Sequence, residues 1–346
     1  MKLRILALLT ALLLIVLPLA SCKKQAETPA DGSQSSADEK TTVRIYSLNG
    51  TTGFGMAKLM EDAASDSFEK ESYTVTVKTD PVEVRTALIN GDVDIAALPT
   101  NLASTVYNVS EGAIKILAVN TLGCLYLLTN NGTQIYSFAD LAGKTVYAPA
   151  QNPTMIFKHL CAMNGVNVEI KNDYAEAAAL QARFAQGATV AGGSDEVSIV
   201  VLPEPAVTAV TAAAKGNGVT VTNLMDLTAE WDKLEGHAGT LVQGCVVVRK
   251  AFLEAHPETV ERFLTAYKAS VEYVNTNVSE AAQLIEKHGL FAKAAVAEKA
   301  IPKCNIAYLD GNEMKQAMTA YLTVLQGINA NAIGGKLPDD NFYYQK

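Results

Sequence analysis

Hydroxyl and amide side chains recur in five short loops, at residues 47–53, 99–101, 120–123, 150–154 and 202–205. Such groups recognise by hydrogen bonding, each offering a neutral donor, an acceptor or both. Each loop follows an apolar run that reads as a strand. Several lead into helices, whose free N–H groups can receive an anion or a carbonyl. In open α/β sheets, ligands bind beyond the carboxyl ends of the strands, where these loops lie. The candidate ligand-binding residues are therefore Ser47, Leu48, Asn49, Thr51, Thr52, Pro99, Thr100, Asn101, Thr121, Gln151, Asn152, Thr154, Pro203 and Glu204. Each has an alternative role as a cap or turn residue. Glu204 is the one charged group. Before Pro205 it is most simply a helix-start acid, and its sharper role is pairing with a ligand amine or ring nitrogen. No Arg or Lys lies in the loops, which weakens any ligand that needs a side-chain cation.

Motifs for bond-making are missing. There is no G-x-S-x-G, no H-E-x-x-H and no phosphate-binding G-x-x-x-x-G-K-S/T loop. His159, His237, His256 and His288 are dispersed, and His159 lies among apolar residues of a helix, where packing is the simpler role. No paired carboxylates stand out. Cys124, Cys161, Cys245 and Cys304 lie mostly in apolar segments with no CxxC or metal-ligand spacing. Buried free thiols are the simpler reading, and a Cys124–Cys245 bridge is the alternative. We expect no metal, no cofactor and no catalysis.

The loops need strands and helices to hold them. Residues 43–48 alternate as a strand, and 54–70 carry a helical stripe of Ala57, Met60, Ala64 and Phe68. Strands are expected at 73–78, 93–98 and 114–120, with helices at 81–89 and 100–107. The pattern restarts at 144–148 and continues with a helix to 163, a strand at 168–171 and a helix at 174–186. A strand at 219–223 and a short helix at 227–234, holding Trp231, follow. The alternation implies a mostly parallel α/β architecture. From Pro257 onward the chain reads as helical to about 325, with Val260, Phe263, Leu264, Tyr267, Val271 and Val274 on one stripe. Residues 334–344 read as a surface strap.

One unit occurs twice. Asp94-Ile-Ala-Ala-Leu-Pro99-Thr-Asn-Leu-Ala103 is echoed by Ser198-Ile-Val-Val-Leu-Pro203-Glu-Pro-Ala-Val207. Each copy follows a helix ending in Gly91 or Gly187, and the second carries extra residues at about 189–195. Two such units suggest two similar lobes facing a cleft. The long apolar strands at 124–129 and 241–249 bracket the middle of the chain. That bracketing divides it into a discontinuous lobe, 41–125 plus 243–346, and a continuous one, 126–242.

The chain has 346 residues and a formal charge of −8. That length favours two lobes over one, and an acidic balance without basic clusters argues against nucleic acid. Residues 1–22 read as a targeting segment: Lys2 and Arg4, an apolar run, then Leu19-Ala20-Ser21-Cys22, which fits a lipoprotein signal; a transmembrane anchor is the alternative, for which the run is short. Cys22 would carry a diacylglycerol thioether and an amide-linked acyl (palmitate) chain, the two signals that stable anchoring needs. Residues 23–40 are too polar to fold and read as a tether.

The lipobox, SLNGTTGFG, NGDVDIAALPTNLASTVYN, DLAGKTVYAP, VLPEPAVTA and GCVVVRKAFLEAHPETVERFLTAY together resemble solute-binding lipoproteins of ABC importers. The nearest branch is the nitrate/taurine/alkanesulfonate and thiamine-precursor binding group. The resemblance implies a type II periplasmic-binding-protein fold, two α/β lobes with the ligand cleft between them. It further implies an exported protein anchored by lipid to the outer face of the cell membrane. This protein would capture a small polar or heteroaromatic molecule, close over it and deliver it to a permease and its ATPase. A sulfonate, a nitrate-like anion or a vitamin or pyrimidine precursor would fit this group, and we expect a monomer. An enzyme of the same fold acting on a small pyrimidine or carboxylate, and a surface sensor, are the rival readings.

Overall fold

The computed structural model describes residues 40–345 except 173, 175–176 and 188–196. The targeting segment, Cys22, nearly all of the tether and the extra loop near 189–195 lie outside the described residues. The described strands are β1 (Thr41–Leu48), β2 (Glu71–Lys78), β3 (Ile95–Pro99), β4 (Ile114–Leu122), β5 (Leu125–Asn130), β6 (Thr145–Tyr147), β7 (Glu169–Lys171), β8 (Ile199–Pro203), β9 (Val221–Asp226), β10 (Val242–Arg249) and β11 (Ile306–Leu309). They form two sheets, ordered β11-β4-β10-β3-β1-β2 and β7-β6-β8-β5-β9. The chain leaves the first sheet after β4, builds the second and returns in β10. This is the type II periplasmic-binding-protein fold expected from sequence.

The repeated unit has the same setting in both sheets. β3 lies between β1, parallel to it, and β10, antiparallel to it. β8 lies between β6, parallel, and β5, antiparallel. Both repeated strands have four buried residues before the proline, which explains their uninterrupted apolar runs.

Helix ends follow local chemistry. In helix Pro81–Asn90, the Asp80 carboxylate accepts from the Val82 N–H at 2.8 Å and Pro81 opens the first turn. Gly91 closes it at φ 81°, a left-handed conformation that glycine adopts without a Cβ clash. In helix Pro257–Thr276, the whole expected stripe from Val260 to Val274 is buried. Removing such side chains from water stabilises the packing by about 1.5–3 kcal/mol each.

Four expectations need correction. The sheets are mixed rather than mostly parallel, because β5, which carries the chain into the second sheet, and β10, which returns it to the first, run against their neighbours. The helix expected at 54–70 is two shorter ones, Thr51–Phe54 and Ala57–Ala64. The first begins earlier, at the loop hydroxyls. The second stops where Asp66 turns to φ 52° in an exposed polar stretch. The helical C-terminal half also contains β11, a four-residue edge strand beside β4 that is too short to show a period. The terminal strap is not superficial: Phe342 and Tyr343 are buried, and Phe342 packs on Tyr107 with ring centres 4.9 Å apart. Tyr343 bridges to Ile116, and the Tyr107 hydroxyl donates to Asp339 at 2.6 Å.

Candidate functional site

The strand-end loops of both sheets meet in a cleft of about 480 Å³. Among the expected residues, Asn49, Thr51, Thr52, Pro99, Thr121, Asn152, Pro203 and Glu204 line it. The first loop is set by Gly50 at φ 91°, where the chain turns from β1 into the helix Thr51–Phe54. Its backbone is pinned by the Asn49 N–H to the Lys78 carbonyl and the Gly50 N–H to the Leu290 carbonyl, both at 2.8 Å. Thr121 donates to Asn120 at 3.0 Å, and Asn120 donates to the Thr52 carbonyl at 3.0 Å.

Two side-chain hydrogen bonds close the gap between the loops of the two sheets. The Thr51 hydroxyl donates to the Glu204 carbonyl at 2.6 Å, and the Asn152 amide donates to the Asn101 side-chain oxygen at 2.8 Å. The backbone supports the same junction. The Glu204 N–H donates to the Cys124 carbonyl at 2.9 Å, and the Cys124 N–H donates to the Gln243 side chain at 2.7 Å.

The other candidates sit behind this surface. Thr100 is buried and donates to the Val242 carbonyl at 2.7 Å, tying β3 to the start of β10. Asn101 bonds to Asn152 and to the Ala332 carbonyl. Thr154 donates to the Pro149 carbonyl at 2.8 Å and accepts from Asn172 at 2.7 Å. Leu48 belongs to the core, and Ser47 is fully buried with no hydrogen-bond partner for its hydroxyl. Gln151 is exposed, at φ 69°.

Sequence reading did not single out Gln181, Gln243, Ala209 or Phe291, which also line the cleft. Phe291 supplies an aromatic wall, set edge-on to Phe54 with ring centres 6.2 Å apart. It comes from the turn after helix Val278–Lys287, far along the chain from every loop chosen by motif. In the sequence only Gly289, which turns the chain at φ 72°, marks this turn.

Glu204 is the only charged side chain among the described lining residues. Its carboxylate accepts from the Thr208 N–H and the Thr208 hydroxyl, each at 3.0 Å, at the start of helix Ala206–Gly216. The helix-start role is thus the one its bonds express. Burial pushes its pKa up, and the two Thr208 bonds offset this only in part. No histidine is among the described lining residues, and the one thiol is Cys124, whose pKa burial pushes up to about 12. A thiol held protonated is a poor nucleophile. The cleft presents amides, hydroxyls, one ring and one acid. Cys124, Cys161, Cys245 and Cys304 are all buried free thiols, so the Cys124–Cys245 bridge is not formed, and the Cys245 thiol donates instead to the Leu98 carbonyl at 3.5 Å.

A larger groove, about 940 Å³, runs between helices Ala206–Gly216 and Ala294–Ala300. It collects none of the strand-end loop residues, so we place the candidate site in the smaller cleft. His159 and His237, which look dispersed along the chain, meet elsewhere, with their Nε2 atoms 3.0 Å apart.

Residues 68–281 match the NMT1/THI5 like family. The chain belongs to this family. Solved structures share its fold. An ABC transporter structure from Parabacteroides distasonis superposes with a TM-score of 0.71 at 23% identity, over 89% of this chain and all of that one. The periplasmic aliphatic sulphonate binding protein SsuA from Escherichia coli superposes at 0.67, with 15% identity over 88% of this chain and 92% of that one. A Candida albicans gene product described as having the generic periplasmic binding protein fold superposes at 0.54, with 14% identity over 84% and 93%. No protein of curated function matches the chain by sequence. No helix among the described residues is long and apolar enough to cross a membrane.

Proposed function

We propose that this member of the NMT1/THI5 like family is the solute-binding component of an ABC importer. It is exported, anchored through lipid at Cys22, monomeric, and held off the membrane by the 23–40 tether. Its lobes are residues 41–125 plus 243–346 and residues 126–242, and they close over the ligand. Ligand bound between the lobes favours the closed form by its greater affinity for it, and the permease with its ATPase receives that form. The likeness to an ABC transporter structure and to a periplasmic sulphonate binding protein supports this role.

The lining of the cleft carries the ligand reading. It has no Lys or Arg among its described residues, one acid in Glu204, an aromatic wall in Phe291 and neutral amides in Asn49, Asn152, Gln181 and Gln243. A sulfonate or nitrate would enter without a side-chain counter-charge. A neutral or amine-bearing heteroaromatic molecule finds a ring to pack on, amides for its ring nitrogens and a carboxylate for its amine. The class is a pyrimidine-like vitamin precursor.

A thermal-shift and calorimetric comparison of aminopyrimidines with alkanesulfonates tests this. Ligand at a hundred times its dissociation constant stabilises the fold by about 2.7 kcal/mol, which is visible as a raised melting temperature. Stabilisation by aminopyrimidines alone is expected. Stabilisation by alkanesulfonates alone would overturn the ligand class, and chemical conversion of the bound molecule would overturn the binding role.

A further inference from the structure

Away from the cleft, helix Asn152–Met163 meets the segment 233–241, the stretch that carries the chain into β10. The meeting point is an imidazole pair. The Nε2 atoms of His159 and His237 are 3.0 Å apart, the ring centres are 5.1 Å apart and the planes differ by 24°. These values together place the rings edge to edge through the two nitrogens. We propose that His159 and His237 form a proton-operated latch that holds the 233–241 segment against helix Asn152–Met163 and releases it on acidification.

The tautomers follow from the neighbours. His237 Nδ1 is 2.9 Å from the Glu235 carbonyl, which only accepts, so Nδ1 carries a proton. Neutral His237 therefore presents a bare Nε2, and His159 donates its Nε2–H to it. The pair holds one proton along the line between the rings. A first added proton gives an imidazolium that still shares the Nε2–H···Nε2 bond with the neutral ring; a second puts an N–H on both Nε2 atoms, head to head at hydrogen-bond distance, and the bond becomes a repulsion.

Among the described residues, the one histidine ion-paired to an acid is His288. Helix Asn152–Met163 contains no carboxylate, and its neighbouring cation, Lys158, is exposed. On helix Leu227–Asp232 and just beyond it, Glu230 pairs with Lys233 at 2.6 Å and Asp232 accepts from the Gly239 N–H at 3.0 Å. Glu235 bonds to the pair only through its carbonyl. Asp140, on the 3-10 turn whose Phe138 packs on Phe157, is taken by the Tyr136 and Ser137 N–H groups at 2.9 Å. Tyr321, from helix Gly311–Asn329, faces Trp231 and is neutral. Burial and the facing His237 both push the His159 pKa down.

The latch also has its own reporter. Trp231, the only tryptophan, lies with its ring centre 5.1 Å from that of His159 and 4.9 Å from that of His237. Its Nε1–H donates to the His237 carbonyl and to Thr240, at 3.1 and 3.0 Å, so it braces the same segment.

The test is Trp231 emission of the full chain against pH, with hydrogen exchange of the peptide spanning 233–241, for wild type, His237→Gln and the His159→Gln/His237→Gln double variant. The wild-type emission should change with a midpoint below 6.5, the ordinary histidine value. His237→Gln should move the midpoint up towards that value, since His159 no longer faces a second charge, and the double variant should lose the transition. Exchange of the segment, corrected for the intrinsic rate, should rise below the wild-type midpoint and stay flat in the double variant. A wild-type midpoint equal to that of His237→Gln, or an emission transition that survives in the double variant, would overturn the coupled pair. Exchange that ignores the midpoint would overturn the latch. If the variants do not fold, imidazole NMR titration of the wild-type histidines gives the same reading, with His159 titrating low.

Discussion

The Thr51 hydroxyl donates to the backbone carbonyl of Glu204 at 2.6 Å, in a buried bond between residues 153 positions apart. One residue follows β1 in the first sheet, and the other follows β8 in the second. The bond ties the strand-end loops together at the wall of the cleft, so the contact that joins the sheets is also part of the candidate site. Glu204 thereby uses its backbone oxygen towards Thr51 and its carboxylate towards Thr208.

Replacing Thr51 by Val keeps the shape and removes the donor. The Glu204 carbonyl is then buried without that partner, at a cost of about 1–3 kcal/mol. Denaturant unfolding should show this loss, and small-angle scattering of the ligand-free protein should show a larger radius. Thr51→Ser retains a hydroxyl and should stay near wild type in both. Identical behaviour of the Val and Ser variants would remove the bond from any role in holding the lobes.

Glu204→Gln should depend on pH in a defined direction. Burial raises the folded-state pKa above the ordinary 4.5. The contribution of this group to stability is therefore fully present below 4.5 and is lost as pH rises through the raised folded value. At neutral pH the wild type carries a buried, incompletely compensated charge. Glutamine removes the charge and still accepts from Thr208, so its melting temperature should exceed that of the wild type at pH 7. The gap should close as pH falls towards 4.5. The same variant should bind an amine-bearing ligand less tightly.

Phe291→Ala removes the aromatic wall of the cleft. Packing of one ring on another is worth about 0.5–1.5 kcal/mol beyond area burial, so a heteroaromatic ligand should lose about threefold to tenfold in affinity by calorimetry. Phe291→Leu, apolar but without a π-face, should recover only part of it. Equal affinity in all three proteins would mean that the ligand does not lie against this ring.

The residues that were legible in sequence share a cause. β3 and β8 were visible because a strand buried on both faces must be apolar throughout, and because Pro99 and Pro203 end each run in the same way. The loops 49–52, 99 and 203–204 were legible because strand-end loops are local in sequence. Phe291 and Gln243 were not, since they reach the cleft only through the packing of distant elements. β11 was missed because four residues at a sheet edge give too little alternation to detect. The His159–His237 contact spans 78 positions, and no periodicity encodes it.

Asp94 sits at the entry end of β3, opposite the end where Pro99 reaches the cleft. Its carboxylate accepts from Arg44 at 2.7 Å and from Arg249 at 2.8 Å, so one acid clamps β1, β3 and β10. Burial pushes its pKa up, but the bonds from Arg44 and Arg249 outweigh this and hold it below the ordinary 3.8. A depressed folded value means stability that is present above 3.8 and is lost as pH falls through the folded pKa. Asp94→Asn keeps the shape and leaves two guanidinium groups without their anion. A broken buried pair costs about 3–5 kcal/mol, and the Arg44 and Arg249 side chains, 44% and 22% exposed, reduce that to about 2–3 kcal/mol through solvent screening. Denaturant unfolding at neutral pH should show this deficit, and it should vanish at pH values where the wild-type Asp94 is itself protonated. Ligand affinity of the folded variant should be unchanged, since the clamp lies at the strand ends away from the loops. A variant that binds ligand weakly yet unfolds like the wild type would reverse this division between the two ends of β3.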